Sequence, residues 1–334
     1  MVSMGYNEYG DFSRLSVYVV GVGGGGNNSI NRLSRMGITG AETIAVNTDR
    51  EHLENIMADN RVLIGAKHNK GLGAGGSPKV GEDCAQCASG GFNNMFKDAD
   101  LIFVTAGMGG GTGTGAAPVI TEIARRRGSM VIAILTMPFS FEGKMRRNYA
   151  IKGVKKIQSY ANSTIILEND KLLKVVSDLP MDEAFGVMDA LISDLIKSVT
   201  ETVTCPSLIN LDFNDLRSVL ETGGVSTLMK GESSIDEPLK AVEEASSNPF
   251  LSVDYTGAKK ALIHVTGGPD MNLQKMNDVV TSMTSKLDPN AGVIFGARID
   301  PLFKNKIKLM SIITGLKSSK KLRRDPRMSF STVS

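Results

Sequence analysis

Residues 106–118 read AGMGGGTGTGAAP, and six of the nine positions from Gly107 to Gly115 are glycine. Glycine loses more backbone freedom on folding than any other residue, so such a run is costly unless something must approach the chain closely. The stretch follows an apolar run, LIFVTA (101–106), and leads into a helical pattern, PVITEIARRR (118–127). A turn between a buried strand and a helix lies at the carboxyl edge of a parallel sheet, where ligands bind. Its unpaired N–H groups and the positive end of the helix favour an anion. A tight turn alone needs one or two glycines. The run therefore reads as a phosphate-binding loop.

Working outward, short apolar strands alternate with helical stretches: LSVYVVG (15–21), TIAVN (43–47), MVIAILT (130–136) and STIILE (163–168), with a helix over about 142–161. That alternation predicts an α/β fold with a parallel sheet covered on both faces. Met181, Phe185, Met188, Ile192, Leu195, Val199 and Val203 recur at three or four residues, so 181–204 reads as one long helix with a single apolar stripe. Beyond residue 222 the strand-like runs GGVSTLMKG, KALIHVTGG, AGVIFGARI and KLMSIITGL alternate with helical segments at 235–247 and 272–286. They predict a second, smaller α+β domain over 223–316. Residues 1–14 read as an N-terminal extension, 15–180 as the nucleotide-binding domain, and 205–222 as a loop and helix joining the two. Residues 317–334 read as a basic, disordered tail.

The chain has 334 residues, 41% hydrophobic and 22% charged, an ordinary balance for a globular protein with two domains. Its net charge of +3 misleads, because KSSKKLRRDPR (317–327) alone carries +5 and leaves the rest slightly acidic. That argues against a nucleic-acid-binding protein. No apolar run is long enough to span a membrane, and three cysteines make no disulfide framework, so the expectation is a cytoplasmic protein.

A second glycine loop, GVGGGGNN (21–28), follows the first strand. Gly21, Gly23 and Gly26 satisfy G-x-G-x-x-G, with Asp49 some 20 residues on, the pattern of an NAD-dependent oxidoreductase. That reading leaves the loop at 107–115 unexplained. Two loops on separate strands suggest a polyphosphate gripped from both sides. The chain has no G-K-[ST], so the loop lysine of a Walker motif is missing. Charge balance then falls to Mg²⁺, loop amides and an arginine, with hydroxyls from Thr112 and Thr114. GLGAGGSPKVG (71–81) offers further amides to a terminal phosphate. The expected ligand is a nucleoside triphosphate.

GGGTGTG, AVNTD (45–49), GLGAGGSPKVG, PFSFEGKMR (138–146), ENDKLLKV (168–175) and NLDFND (210–215) together resemble the FtsZ family, prokaryotic relatives of tubulin, from about Leu15 to Gly315. GGVSTLM, HVTGGPD and VIFGARI look more archaeal than bacterial. The resemblance implies a tubulin-like GTPase that binds GTP and GDP with Mg²⁺ and polymerises head to tail. It further implies a role in the division ring at mid-cell. Gly24, Gly25, Gly26, Asn27 and Asn28 would hold phosphates and ribose, with Asp49, Ala74, Gly75 and Gly76 nearby. Gly110, Gly111, Thr112 and Gly113 would hold the phosphate chain, and Glu142 and Arg146 would sit by the ribose and phosphates. Asn169, Phe185 and Asp189 would contact guanine. Asn210, Asp212 and Asp215 would act on the nucleotide of the neighbouring subunit. No side chains are assigned to a metal. A filament serving cell shape or plasmid movement would use the same pocket chemistry.

Each residue also has a plainer reading. Phe185 lies on an apolar stripe and reads as core. Asp189 reads as a solvated helix residue, and Glu142 with Arg146 as a surface pair at i and i+4. Asp212 and Asp215 read as first-turn acids favoured by the helix dipole. CAQC (84–87) has no second cysteine pair and reads as two small helix residues. Gly76-Ser77 stands where bacterial relatives often have Ala-Asn. The short basic C-terminus lacks their usual tether peptide, so LRRDPRMSF is left to an acidic partner, an anionic membrane, a division protein or solvent. A second FtsZ paralogue is a further candidate partner.

Overall fold

Runs of Val, Ile and Leu buried on both faces pair side by side in the middle of the molecule, as parallel strands under two helical layers must. The computed structural model describes residues 15–221, 226–250 and 254–315. The predicted N-terminal extension, the basic tail and Gly223-Gly224 lie outside these. The first sheet contains β1 (Val17–Val22), β2 (Glu42–Asn47), β3 (Asn60–Leu63), β4 (Leu101–Gly107), β5 (Met130–Met137) and β6 (Ser163–Glu168). Every pairing is parallel, in the order β3-β2-β1-β4-β5-β6. Only β3 escapes the sequence reading: NRVL is a short, partly exposed edge strand without an apolar run.

The strand order decides where a ligand can bind. The order in which successive strands are added reverses between β1 and β4, parallel neighbours with Val22 opposite Ala106. That reversal is the topological switch point, where connections diverge and leave a crevice at the carboxyl ends. The two glycine runs follow these two strands. They open α1 (Gly23–Met36) and α3 (Gly111–Arg126). α2 (Pro78–Cys87) packs along α3, and α4 (Lys144–Gln158) lies on the same side.

α5 (Met181–Thr204) leads from this edge to the second sheet. Met188, Ile192, Leu195, Ile196 and Val199 are at most 3% exposed, and join one core that includes Val19, Ile132, Leu216, Leu262 and Ile312. The helix is therefore the wall shared by both sheets. After α6 (Phe213–Leu220), the second sheet is mixed: β7 (Thr227–Ser234), β8 (Lys260–Gly267), β9 (Gly292–Ile299) and β10 (Lys306–Thr314) lie in the order β7-β10-β8-β9. β10 runs antiparallel to β7 and β8, while β8 and β9 are parallel. α7 (Leu239–Ser247) and α8 (Leu273–Thr284) close a separate apolar cluster on its other face. Among the described residues no helix is long and apolar enough to cross a membrane.

The candidate nucleotide site

The glycines answer to two different demands. A Cβ on Gly113 would lie 2.5 Å from the Gly107 carbonyl oxygen, one on Gly23 would lie 2.8 Å from the Gly113 nitrogen, and one on Gly25 would lie 3.2 Å from Gly107 Cα. The first two loops thus press backbone on backbone. The third segment joins them, because a Cβ on Gly111 would meet Ser77 nitrogen at 2.9 Å and one on Gly115 would strike the Pro78 carbonyl. Much of the glycine content is consumed in packing three loops into one cradle. Gly24 and Gly110 are different. Both have ordinary backbone angles, and an added Cβ would find nothing nearer than 4.0 Å, His52 Nε2 and an Arg146 guanidinium nitrogen respectively. Neither packing nor a positive φ requires glycine at these two positions, and both leave open space at the mouth of the cradle.

Hydrogen bonds fix the cradle. Gly109 N–H donates to Thr114 Oγ1 at 2.7 Å, and the Thr112 and Thr48 hydroxyls meet at 2.7 Å. The Thr112 hydroxyl therefore ties this loop to the end of β2, and the Thr114 hydroxyl braces its own loop. Asn27 is fully buried, and with its amide nitrogen turned toward the sheet it donates to the Gly21 carbonyl at 2.9 Å and the Val46 carbonyl at 3.3 Å, pinning α1 to the sheet. Asp49 lies two residues beyond β2, which ends at Asn47. It caps the next helical turn by accepting from His52 N–H at 3.1 Å. Arg50 N–H and Gly73 N–H bond to Gly71 and Thr48 carbonyls, hinging the 71–77 loop to this corner. Ala74 is buried there, whereas Gly75 and Gly76 are exposed with positive φ.

Glu142 and Arg146 do pair, at 2.7 Å, but Glu142 lies in the turn before α4 and also accepts from Phe139 N–H at 2.8 Å. The pair places the guanidinium over Gly110.

Phe185 is 38% exposed, so the first part of the apolar stripe on α5 is not core. Its ring meets Phe139 edge-on at 5.6 Å, and Phe139 stacks on Phe141 at 4.8 Å. Periodicity reports a stripe but not what covers it, and here Phe185 meets a ring from the loop after β5. Asp189 corrects the other plain reading. It accepts from Ser29 Oγ at 2.8 Å, and burial pushes its carboxyl up to about 6, against the opposing pull of Ser29 and Arg32. It opens on a cleft of about 390 Å³ lined with Asn28, Arg32, Arg35 and Gly186. Arg32 was missed from sequence, although it follows Asn28 by one helical turn. Asn169 Oδ1 is buried and has no partner within the described residues. Asn169 directly follows β6, at the carboxyl edge of the sheet.

Asn210, Asp212 and Asp215 lie elsewhere. α5 rises about 1.5 Å per residue, which puts its end about 22 Å from Asp189, and the loop 205–212 continues from that end. Ile209 exchanges two backbone hydrogen bonds with Ala297 of β9, at 3.0 and 3.1 Å, and Leu211 is buried against Gly296. Asn210 accepts from Ser207 N–H at 2.7 Å. The second sheet, through β9, therefore holds this loop at the far end of the helix from the cradle. In the CAQC stretch, Cys84 is buried and its thiol pushed up by burial, while exposed Cys87 lies 3.3 Å from His68 Nε2.

A doubly wound sheet with two glycine loops at its switch point, a shared central helix and a mixed second sheet defines a tubulin-like nucleotide-binding protein. The chain belongs to the tubulin/FtsZ family: residues 16–177 match the description "Tubulin/FtsZ family, GTPase domain", and residues 224–317 match "FtsZ family, C-terminal domain". It is 48% identical to "Cell division protein FtsZ 2" of Methanocaldococcus jannaschii, over 95% of this chain and 84% of that protein. It is 46% identical to "Cell division protein FtsZ 1" of Archaeoglobus fulgidus, over 92% and 84%. Among solved structures, "FtsZ dimer, empty (M. jannaschii)" superposes with a TM-score of 0.85 at 41% identity, covering 93% of this chain and 91% of that one. The archaeal resemblance holds, and the oxidoreductase and other filament readings are not favoured.

Proposed function

We propose that this chain is a GTP-hydrolysing filament protein of cell division, concentrated at the division site, whose active site is completed by the next subunit. The observation that carries the reading is the separation of cradle and acids by the length of α5. The cradle supplies amides and Arg146 for phosphates, with Gly24 and Gly110 as the points of closest backbone approach. Phe185, Asn169 and Asp189 surround the base, where a carboxylate accepts from the guanine N–H groups. Asp212 and Asp215, carried on the opposite end, orient and polarise water at the phosphate of the subunit below. A head-to-tail contact of this kind is heterologous and propagates as a filament unless it closes. A paralogue sharing the same two ends would co-assemble.

Magnesium bound with a nucleotide is held largely by phosphate oxygens and water. Among the described residues no group of three His, Cys, Asp or Glu side chains converges on one point. Bound with nucleotide, the ion would neutralise phosphate charge.

GTP turnover per subunit, measured across protein concentration with light scattering in parallel, tests the reading. Specific activity should be near zero in dilute solution and rise with scattering. A flat value from nanomolar upward would show one chain to hold a complete site.

A further inference from the structure

The nucleotide reading gives Asp189 the task of accepting from the base, and two serines surround it for which that reading has no use. Ser29, on α1, is 2% exposed and donates to Asp189 Oδ1 at 2.8 Å. Its other reachable acceptor is the Gly25 carbonyl, at 3.3 Å. One hydroxyl proton cannot serve both, and the shorter, charge-assisted bond to the carboxylate prevails. Ser193, on α5, donates to the Ser29 carbonyl at 3.1 Å and the Asp189 carbonyl at 2.7 Å, clamping the two helices together. The other carboxylate oxygen, Oδ2, has no partner among the described residues.

An aspartate's second side-chain torsion is broad, so its carboxylate plane is free unless something fixes it. Reading guanine requires that plane fixed, because N1–H and the 2-amino group must each meet one oxygen. Resting on the proposed guanine-nucleotide function of this cleft, we propose that Ser29 is a positioning residue, whose hydroxyl fixes the plane of the Asp189 carboxylate and so sets selectivity for the purine 2-amino group. The same hydroxyl steadies the ionised form. Burial works against that form, while Arg32 and, across the cleft, Arg35 are the cations facing it. Protonation would remove an acceptor and free Ser29 to turn back to Gly25, linking base reading to the phosphate loop.

GDP and IDP affinities of the full chain, measured from pH 5 to 8, test this, since IDP lacks the 2-amino group. In Ser29→Ala, GDP affinity should fall about tenfold, the usual worth of one hydrogen bond to a charged group. IDP affinity should change little, and the acid limit of GDP binding should move to higher pH. Ser193→Ala, which loosens the helix clamp only, should keep the GDP-to-IDP ratio. An unchanged ratio and unchanged acid limit in Ser29→Ala, or equal losses for both nucleotides, would overturn the positioning role. Asp189→Asn separates the two ideas. If it too leaves the ratio untouched, the guanine reading of the cleft fails, and not Ser29 alone.

Discussion

Asp212 and Asp215 hold each other across the first turn of α6: Asp215 N–H donates to Asp212 Oδ1 at 2.8 Å, and Asp212 N–H donates to Asp215 Oδ2 at 3.0 Å. Each carboxylate spends one oxygen on this reciprocal cap and keeps the other unpartnered among the described residues. The capping and catalytic readings are therefore compatible, and the cap fixes the direction of the free oxygens. Asp215→Asn keeps the side-chain oxygen needed for the cap and removes the charge. GTP binding should stay within a factor of two, and turnover in assembled protein should fall about a hundredfold, the scale of removing one electrostatic contact to a reacting group. Asp212→Ala should in addition lower stability by ~1 kcal/mol, the usual worth of an N-cap. Nucleotide titration, turnover and urea unfolding separate the three effects. Loss of GTP binding in Asp215→Asn would place that acid in the wrong subunit's site.

Mixing two inactive variants tests the shared site directly. Asp215→Asn retains the cradle, while Gly110→Val, which projects a branched side chain toward the proposed phosphate path, retains the acids. Each alone should turn over little GTP. Mixed in equal amounts they form one contact in which an intact cradle meets an intact acid loop, and turnover should recover toward a quarter of the wild-type value if contacts form at random. No recovery in mixed filaments, verified by co-sedimentation, would remove the trans mechanism.

A pair of glycine variants should split stability from binding. Gly113→Ala forces a Cβ to within 2.5 Å of the Gly107 oxygen, an overpacking that costs roughly 1–3 kcal/mol. Gly110→Ala places the same methyl in open space, so its melting temperature should match the wild type while GTP affinity falls at least several-fold. Equal destabilisation of both variants would show that Gly110 is also a packing glycine.

How much of this was visible beforehand follows from what each signal encodes. Five strands of the first sheet were legible because strands buried on both faces are unbroken apolar runs; β3, an edge strand with Arg61 in its middle, is not such a run. The glycine runs marked the cradle, but which glycines face backbone and which face a ligand depends on β1 and β4 being neighbours, a long-range pairing no local pattern reports. Phe185 looked like core because its spacing matched Met188 and Ile192, yet the core begins only at Met188. Asp189 looked solvated because its cover, Ser29, belongs to a helix distant in the chain. Local chemistry read well, and tertiary cover did not.

Asp189 also predicts a conflict between stability and binding. Its native carboxyl titrates near 6, above the ordinary 3.8, chiefly because burial disfavours the charge. Between these values the native state holds the proton more firmly than the unfolded chain. Stability of the nucleotide-free protein should therefore fall as pH rises through that window, and the full cost should be present above it. Asp189→Asn removes the charge while keeping the shape. At pH 7.5 it should raise the melting temperature of the nucleotide-free protein by a few degrees. The advantage should shrink toward pH 4.5, where the wild-type carboxyl is itself neutral. GTP should stabilise the wild type and barely move the variant. Thermal unfolding at both pH values, with and without GTP, reads all four quantities. A variant that melts below the wild type at pH 7.5 without nucleotide would mean that the Ser29 bond more than offsets burial, and the conflict would not exist.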